Sequence, residues 1–283
     1  MKFAGKPLWV VYFSPAGSTG RIAHLIQNEC ETLGGQVHLL NLTAHGGKID
    51  LFAESEKKND GVGIFIGSPV YANHTAPPVL NFISKLPRGI HGFAVPFITW
   101  GGVCSGEALY EISAALAECG LGLMGAFKVP AVHSLFRGSN LDPAAGHPNV
   151  ADEAAVKEFV ARIAAKTDRP DARQIDLSEL AYRPAGGSDP LLNLTPEDIK
   201  RNYPEREIRQ DACTQCGICQ DACPVDAIRL SPYPEFSSAC VYCYNCMHHC
   251  PEKAIQSDLS LLRERVLKRA KDIAEPLTAR MWL

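Results

Sequence analysis

Over roughly the first 165 residues, apolar positions fall in short unbroken blocks separated by stretches of helical period. Residues 8–13 (LWVVYF) are continuously apolar, the pattern of a strand covered on both faces. Comparable blocks recur at residues 37–42, 61–67, 93–99 and 125–129. After the first block, Ile22, Leu25, Ile26, Cys30 and Leu33 return every three or four positions, so one helical face is apolar. Further helical stretches are expected near residues 78–86, 107–118 and 152–165. Strands alternating with helices predict an α/β unit over residues 1–167, built on a doubly wound, parallel, five-stranded sheet.

Periodicity fades over residues 168–206, where prolines, charges and Gly186-Gly187 accumulate. This reads as a connector, and its apolar Leu191, Leu192 and Leu194 predict that it is packed rather than swinging free. Within it Thr195 is the expected N-cap of a short helix. Pro196 is the first helical residue, and Glu197 and Asp198 complement the dipole. A small α+β unit is expected at 207–257 and a helical extension at 258–283. The extension's helix turns Leu259, Leu262, Val266 and Ile273 inward and carries Arg263, Arg265, Lys268, Arg269 and Lys271. Docking of this basic helix on the more acidic 207–257 unit is its simplest use.

Eight of the eleven cysteines stand in two runs with one spacing: Cys213, Cys216, Cys219 and Cys223 before Pro224, then Cys240, Cys243, Cys246 and Cys250 before Pro251. Zinc ribbons prefer ligands in two pairs, and a disulfide framework needs an oxidising compartment, for which no export signal speaks. Three thiolates two residues apart wrap one face of a cubane iron–sulfur cluster, while the fourth, before proline, reaches the neighbouring cluster. The ligand sets are therefore crossed: Cys213, Cys216, Cys219 and Cys250 for one 4Fe–4S cluster, Cys240, Cys243, Cys246 and Cys223 for the other. Residues 208–255 resemble the bacterial-type two-cluster ferredoxins, with Ala227-Ile228 and Ala254-Ile255 as related strand starts. Cys30, Cys104 and Cys119 read as small buried hydrophobes.

The 283 residues suit two domains, and 46% apolar content suits a real core. Net charge is −3; up to Thr167 there are 13 basic and 13 acidic residues, so no basic half suggests nucleic acid. No stretch approaches the roughly 20 apolar residues of a membrane span. A reducing cytoplasm is the expected compartment.

The first strand and helix are joined by Ser14-Pro15-Ala16-Gly17-Ser18-Thr19-Gly20. Amides at a helix start, supplemented by hydroxyls, make an anion site. Without the Walker lysine or the dinucleotide glycine spacing, a monophosphate is favoured. Loops of this composition also serve simply to cap helices. The first 165 residues resemble the flavodoxin-like family on three segments. Ser14, Ala16, Gly17, Ser18 and Thr19 stand where that family holds the phosphate of FMN. Pro69, Val70, Tyr71 and Ala72, after Ser68, and Thr99, Trp100, Gly101 and Gly102 correspond to its two loops around the isoalloxazine ring. Ala16 departs from the family's usual threonine and removes one hydroxyl. His133, after the fifth strand, reads as a surface histidine.

The whole chain resembles flavodoxin–ferredoxin fusion proteins of anaerobes. The resemblance implies FMN, two 4Fe–4S clusters and an electron relay between larger redox protein partners, with no residue in a catalytic role. A homodimer is compatible with the sequence, which names neither partner nor oligomeric state. The alternative is an FMN-dependent reductase of a quinone, nitro compound or corrinoid, which needs an open pocket over the ring. A redox or iron sensor lacks any DNA-reading element.

Overall fold

The computed structural model describes residues 3, 7–43, 61–137, 139–167, 169, 174–184, 191 and 194–283. Leu192 and Gly186-Gly187 of the expected connector lie outside them.

The five expected blocks are the five parallel strands of one sheet: β1 (Pro7–Tyr12), β2 (Gln36–Asn41), β3 (Val62–Tyr71), β5 (Gly92–Trp100) and β7 (Ala126–Pro130). Their order, β2-β1-β3-β5-β7, is the flavodoxin-like arrangement, with the switch point between β1 and β3. Val10 pairs with Leu39 on one side and Phe65 on the other. Each inner strand is apolar throughout because both faces are covered. Helices α1 (Ser18–Thr32) and α4 (Val150–Thr167) bring Ile22, Ile26, Phe159 and Ile163 to one face. Helices α2 (Pro77–Ile83) and α3 (Ala108–Glu118) bring Val79, Ile83, Leu109 and Ile112 to the other. Cys30, Cys104 and Cys119 are buried, as expected.

Two features extend the expected sheet. Strand β3 continues through Ser68-Pro69-Val70-Tyr71 and folds back as β4 (His74–Thr75). Ala72 and Asn73 turn the hairpin at φ 45° and 77°, the positive values a two-residue turn needs to match strand twist. A short β6 (Gly122–Leu123) adds to the β5 edge. At the far edge the chain's last strand, β12 (Arg280–Trp282), pairs antiparallel with β7, Met281 opposite Phe127.

The connector carries α5 (Pro196–Lys200), with Thr195 as N-cap and Asp198 closing a capping box. Beyond it β8 (Glu207–Ile208) pairs with β11 (Ile255–Gln256), and β9 (Ile228–Leu230) with β10 (Pro234–Phe236). The two strand starts expected after the Cys-Pro pairs are β9 and β11. Helices α6 (Ile218–Asp221) and α7 (Asn245–His249) stand in equivalent places of the two cysteine runs.

The C-terminal helix, α8 (Ser260–Ile273), does more than dock on the small unit. Leu259, Leu262 and Val266 share an apolar cluster with Leu135 and Phe136, which follow β7. Arg263 Nε donates to the Leu135 carbonyl at 2.9 Å. Past the helix, Glu275 is buried in an ion pair with Lys128 of β7 and accepts from the amide and hydroxyl of Ser105. The arm thus crosses from the cysteine-bearing unit back into the first sheet. Among the described residues no helix is long and apolar enough to cross a membrane.

Candidate functional site

At the C-terminal ends of the parallel strands a cavity of about 420 Å³ opens, within the usual size of ligand sites. Of the thirteen residues expected around the flavin, eleven line it: Ser14, Ala16, Ser18, Thr19, Pro69, Val70, Tyr71, Ala72, Thr99, Trp100 and Gly101. Gly17 lies on an adjoining groove, and Gly102, at φ 72°, backs onto Pro143 and Ala144.

The loop before α1 is shaped by its own hydroxyls. Gly17, the N-cap, sits at φ 92° and supplies no side-chain cap. The Gly20 amide donates to Ser14 Oγ at 2.8 Å. Thr19 is buried, and its hydroxyl bonds that of Thr99 at 2.7 Å, tying the first loop to the end of β5. Arg137 Nη2 reaches the Ala16 carbonyl at 3.4 Å, which sets a cation beside a loop that lacks one.

Trp100 is almost fully buried, and its Nε1 has no hydrogen-bond partner among the described residues. Lys128 Nζ lies 5.6 Å from its ring centroid. His133 is half-buried rather than on the open surface: its ring lies against Gly101 and edge-on to Phe136. Leu135 N–H donates to its Nδ1, and burial, aided by the nearby Arg269 charge, pushes its pKa down to about 4. The imidazole is therefore neutral.

The remaining wall comes from outside the first sheet. Leu191, Leu194, Ile199 and Tyr203 of the connector line it, as do Tyr242 and Tyr244 of the second cysteine run and Arg265, Val266 and Arg269 of α8. Tyr203 stacks on Tyr242 with centroids 4.9 Å apart. Tyr244 Oη is buried with no hydrogen-bond partner among the described residues. Asn245 Nδ2 donates to the Pro15 carbonyl at 2.6 Å, so the second run touches the first loop directly.

The two cysteine runs share one backbone plan. Gln215 and Tyr242, Gly217 and Tyr244, and Asp226 and Lys253 are equivalent pairs, all with φ between 49° and 82°. These left-handed residues turn the chain so that three thiolates face the same way. A tyrosine there costs conformational energy that glycine does not; packing of the Tyr244 ring with Leu135 and Phe136 offsets it. Cys213, Cys216, Cys219 and Cys250 line one small cavity. Burial raises the Cys243 thiol pKa, and Cys246, Cys240 and Cys223 add to it. Ala227 N–H and Ala254 N–H donate to Cys223 and Cys250 Sγ, each at 3.2 Å. Among the described residues no three His, Cys, Asp or Glu side chains gather tightly enough for a single metal ion. A cubane carries its irons at separate corners and spreads its thiolates accordingly.

The two expected ligand sets differ in exposure: Cys216 is exposed, Cys213 and Cys250 half-buried and Cys219 buried, whereas Cys240, Cys243, Cys246 and Cys223 are all buried. Arg206 Nη1 donates to Cys240 Sγ at 3.1 Å while its guanidinium lies over Phe236. Cys243 belongs to the same apolar cluster as Trp9 and Ile98 of the first sheet. Tyr71 lines the cavity, and its hydroxyl pKa is raised well above normal by burial first and by Cys243 next.

Residues 206–229 match the family model of the 4Fe-4S binding domain, which spans the first cysteine run. No curated protein sequence matches the chain. Among solved structures, a flavodoxin from the domain Archaea is 22% identical over 58% of this chain and 99% of its own, at a TM-score of 0.43. The Streptococcus pneumoniae TIGR4 flavodoxin is 15% identical over 56% of this chain and 99% of its own, with a TM-score of 0.41. Rubredoxin oxygen:oxidoreductase from Desulfovibrio gigas is 17% identical over 59% of this chain and 37% of its own, with a TM-score of 0.40. The strand order is flavodoxin-like, and the family match places a 4Fe-4S binding segment at residues 206–229. The chain joins a flavodoxin-like sheet to a 4Fe–4S ferredoxin domain.

Proposed function

We propose that the chain is an intramolecular electron relay in which two 4Fe–4S clusters exchange electrons with FMN, and that larger redox proteins load or drain it. The observation that carries this reading is the shared cavity. One wall is the three loops expected to hold FMN, and the other is the second cysteine run with its tyrosines.

The residues present fit FMN. The α1 start, Ser14, Ser18 and Arg137 suit a phosphate, and the unpartnered Trp100 Nε1 and Tyr244 Oη suit a ligand rich in polar atoms. Bound there, FMN supplies one- and two-electron chemistry, whereas each cluster handles one electron at a time. Tyr71 and Tyr242 separate the ring site from the cluster held by Cys240, Cys243, Cys246 and Cys223. Arg206 bonds Cys240 and holds a positive charge at that cluster's edge. The cluster of Cys213, Cys216, Cys219 and Cys250 includes the exposed Cys216 and the half-buried Cys213 and Cys250, and is the natural meeting point with a protein partner.

A reductase of small acceptors needs free access to one face of the ring. Here the connector and α8 also wall that cavity, which favours the relay. Rapid mixing of the loaded chain with a low-potential reductant tests it. Cluster reduction should precede flavin reduction at a rate independent of protein concentration. A flavin rate that rises with concentration would place the transfer between molecules and defeat the proposal.

A further inference from the structure

Arg206 is the last residue of the connector and is half-buried. Its Nη1 donates to Cys240 Sγ at 3.1 Å. The guanidinium carbon lies 3.8 Å from the Phe236 ring centroid and 4.9 Å from that of Tyr242. One permanent charge is therefore fixed on a cysteine of the second run by two aromatic rings. Tyr242 lines the ring cavity and stacks on Tyr203, which lines it too. The Tyr242 amide also donates to Cys240 Sγ, at 3.4 Å, so two donors converge on one sulfur. Among the described residues Arg206 is the one side chain that bonds a cysteine of either run, and Cys213, the counterpart of Cys240, has no such donor.

The two ligand sets sit in unlike surroundings. The outer cluster, of Cys213, Cys216, Cys219 and Cys250, includes an exposed thiolate, whereas the inner one, of Cys240, Cys243, Cys246 and Cys223, has buried ligands throughout. Reduction adds one electron and no proton, so a cluster with its thiolates gains one negative charge. Solvent eases that gain and burial opposes it. On burial alone the inner cluster would be the harder to reduce, and an electron arriving at the outer one would stay there. A guanidinium bonded to the sulfur works the other way, because it favours the more negative, reduced form. Glu205 and Glu207 flank Arg206 in sequence but are exposed, where solvent and salt screen them.

We infer that Arg206 sets the order of the two cluster potentials, making the inner cluster the easier to reduce, so that an electron entering at the outer cluster moves inward to the cavity. The inference rests on the relay reading above. The electron comes from a low-potential redox protein. In the inward transfer the outer cluster is reoxidised as the inner one is reduced, and no proton moves. Arg206 acts through the Cys240 sulfur and is a positioning residue. Phe236 and Tyr242 hold its charge there by cation–π contact, with no carboxylate bonded to it among the described residues.

The test uses the full chain with both clusters and FMN, titrated anaerobically with dithionite while EPR reads each cluster against potential. C216S, at the exposed ligand, alters the outer cluster's signal and so identifies it. In wild type the inner cluster should be reduced at the higher potential. R206Q should shift the inner equilibrium towards the oxidised form roughly tenfold, about 59 mV for a one-electron couple, and leave the outer one in place. R201Q, exposed and paired with Asp198 in the same connector, should move neither. If R206Q failed to assemble its inner cluster, R206K should show a smaller shift of the same sign. Unchanged potentials in the Arg206 variants, or a shift of the outer cluster alone, would overturn the inference and leave the relay reading intact. A flavin rate that rises with protein concentration while R206Q still moves the inner potential would defeat the relay reading alone.

Discussion

Asn245 Nδ2 donates to the Pro15 carbonyl at 2.6 Å, across 230 residues of sequence. Asn245 stands next to Cys246, and Pro15 is in the loop before α1, so one hydrogen bond joins a cluster ligand's neighbour to the expected phosphate site. Removing it should cost about 0.5–1.5 kcal/mol. N245A should therefore weaken FMN binding by roughly twofold to tenfold, while iron and sulfide content stay unchanged. Flavin fluorescence titration beside iron analysis checks both parts.

The proposed crossed ligation would make Cys223 a ligand of the distant run. C223A should damage the cluster of Cys240, Cys243 and Cys246 and spare the one nearer the chain's first run. Because the damaged cluster is the one next to Tyr71, flavin reduction should also slow. EPR of the reduced variant separates the two clusters; loss of the Cys213 cluster alone would refute the crossing.

His74 and Glu111 hold the β3–β4 hairpin that follows the ring loop. His74 Nδ1 and Glu111 Oε1 are 2.6 Å apart, and Thr75 N–H donates to Glu111 Oε2 at 2.8 Å. The Glu111 hydrogen bond raises the His74 pKa above 6.5, so its stabilisation is complete below 6.5 and fades as pH rises through the folded value. Burial raises the Glu111 carboxyl, but hydrogen bonds from His74 and Thr75 outweigh it and hold the pKa below 4.5. That contribution is complete above 4.5 and is lost as pH falls through the folded value. The pair should stabilise most between pH 4.5 and 6.5. Denaturant midpoints should fall from pH 6.5 towards alkaline pH in wild type and flatten there in H74Q.

Lys128 and Glu275 pin the C-terminal arm to β7, with Ser105 sharing both partners. Removing one member leaves the other buried and uncompensated, at about 3–5 kcal/mol. K128M should therefore destabilise strongly, and K128M/E275L should recover much of the loss. Limited proteolysis should find the arm open in K128M, with cleavage between α8 and β12.

How much the sequence determined differs from segment to segment. The five parallel strands were legible because a sheet covered on both faces needs unbroken apolar runs, as in residues 8–13. The cysteine runs were legible because cluster ligation imposes a spacing on nearby residues. Eleven of thirteen expected ring and phosphate residues line the cavity because strand ends carry their loops to one edge. The tertiary structure alone decided the opposite wall. Strand β12 is three residues long and has no period to read; its partner across the sheet edge creates it. Lys128, Glu275 and Arg206 carry no local mark in the sequence, since nothing nearby shows which charge will find a buried counterpart. Tyr242 and Tyr244 did carry a signal, standing where the first run has Gln215 and Gly217. A tyrosine in a left-handed position needs a partner to hold it. That partner, Leu135 and Phe136 beyond β7, lies more than a hundred residues away in sequence and is brought beside it only by the folded chain.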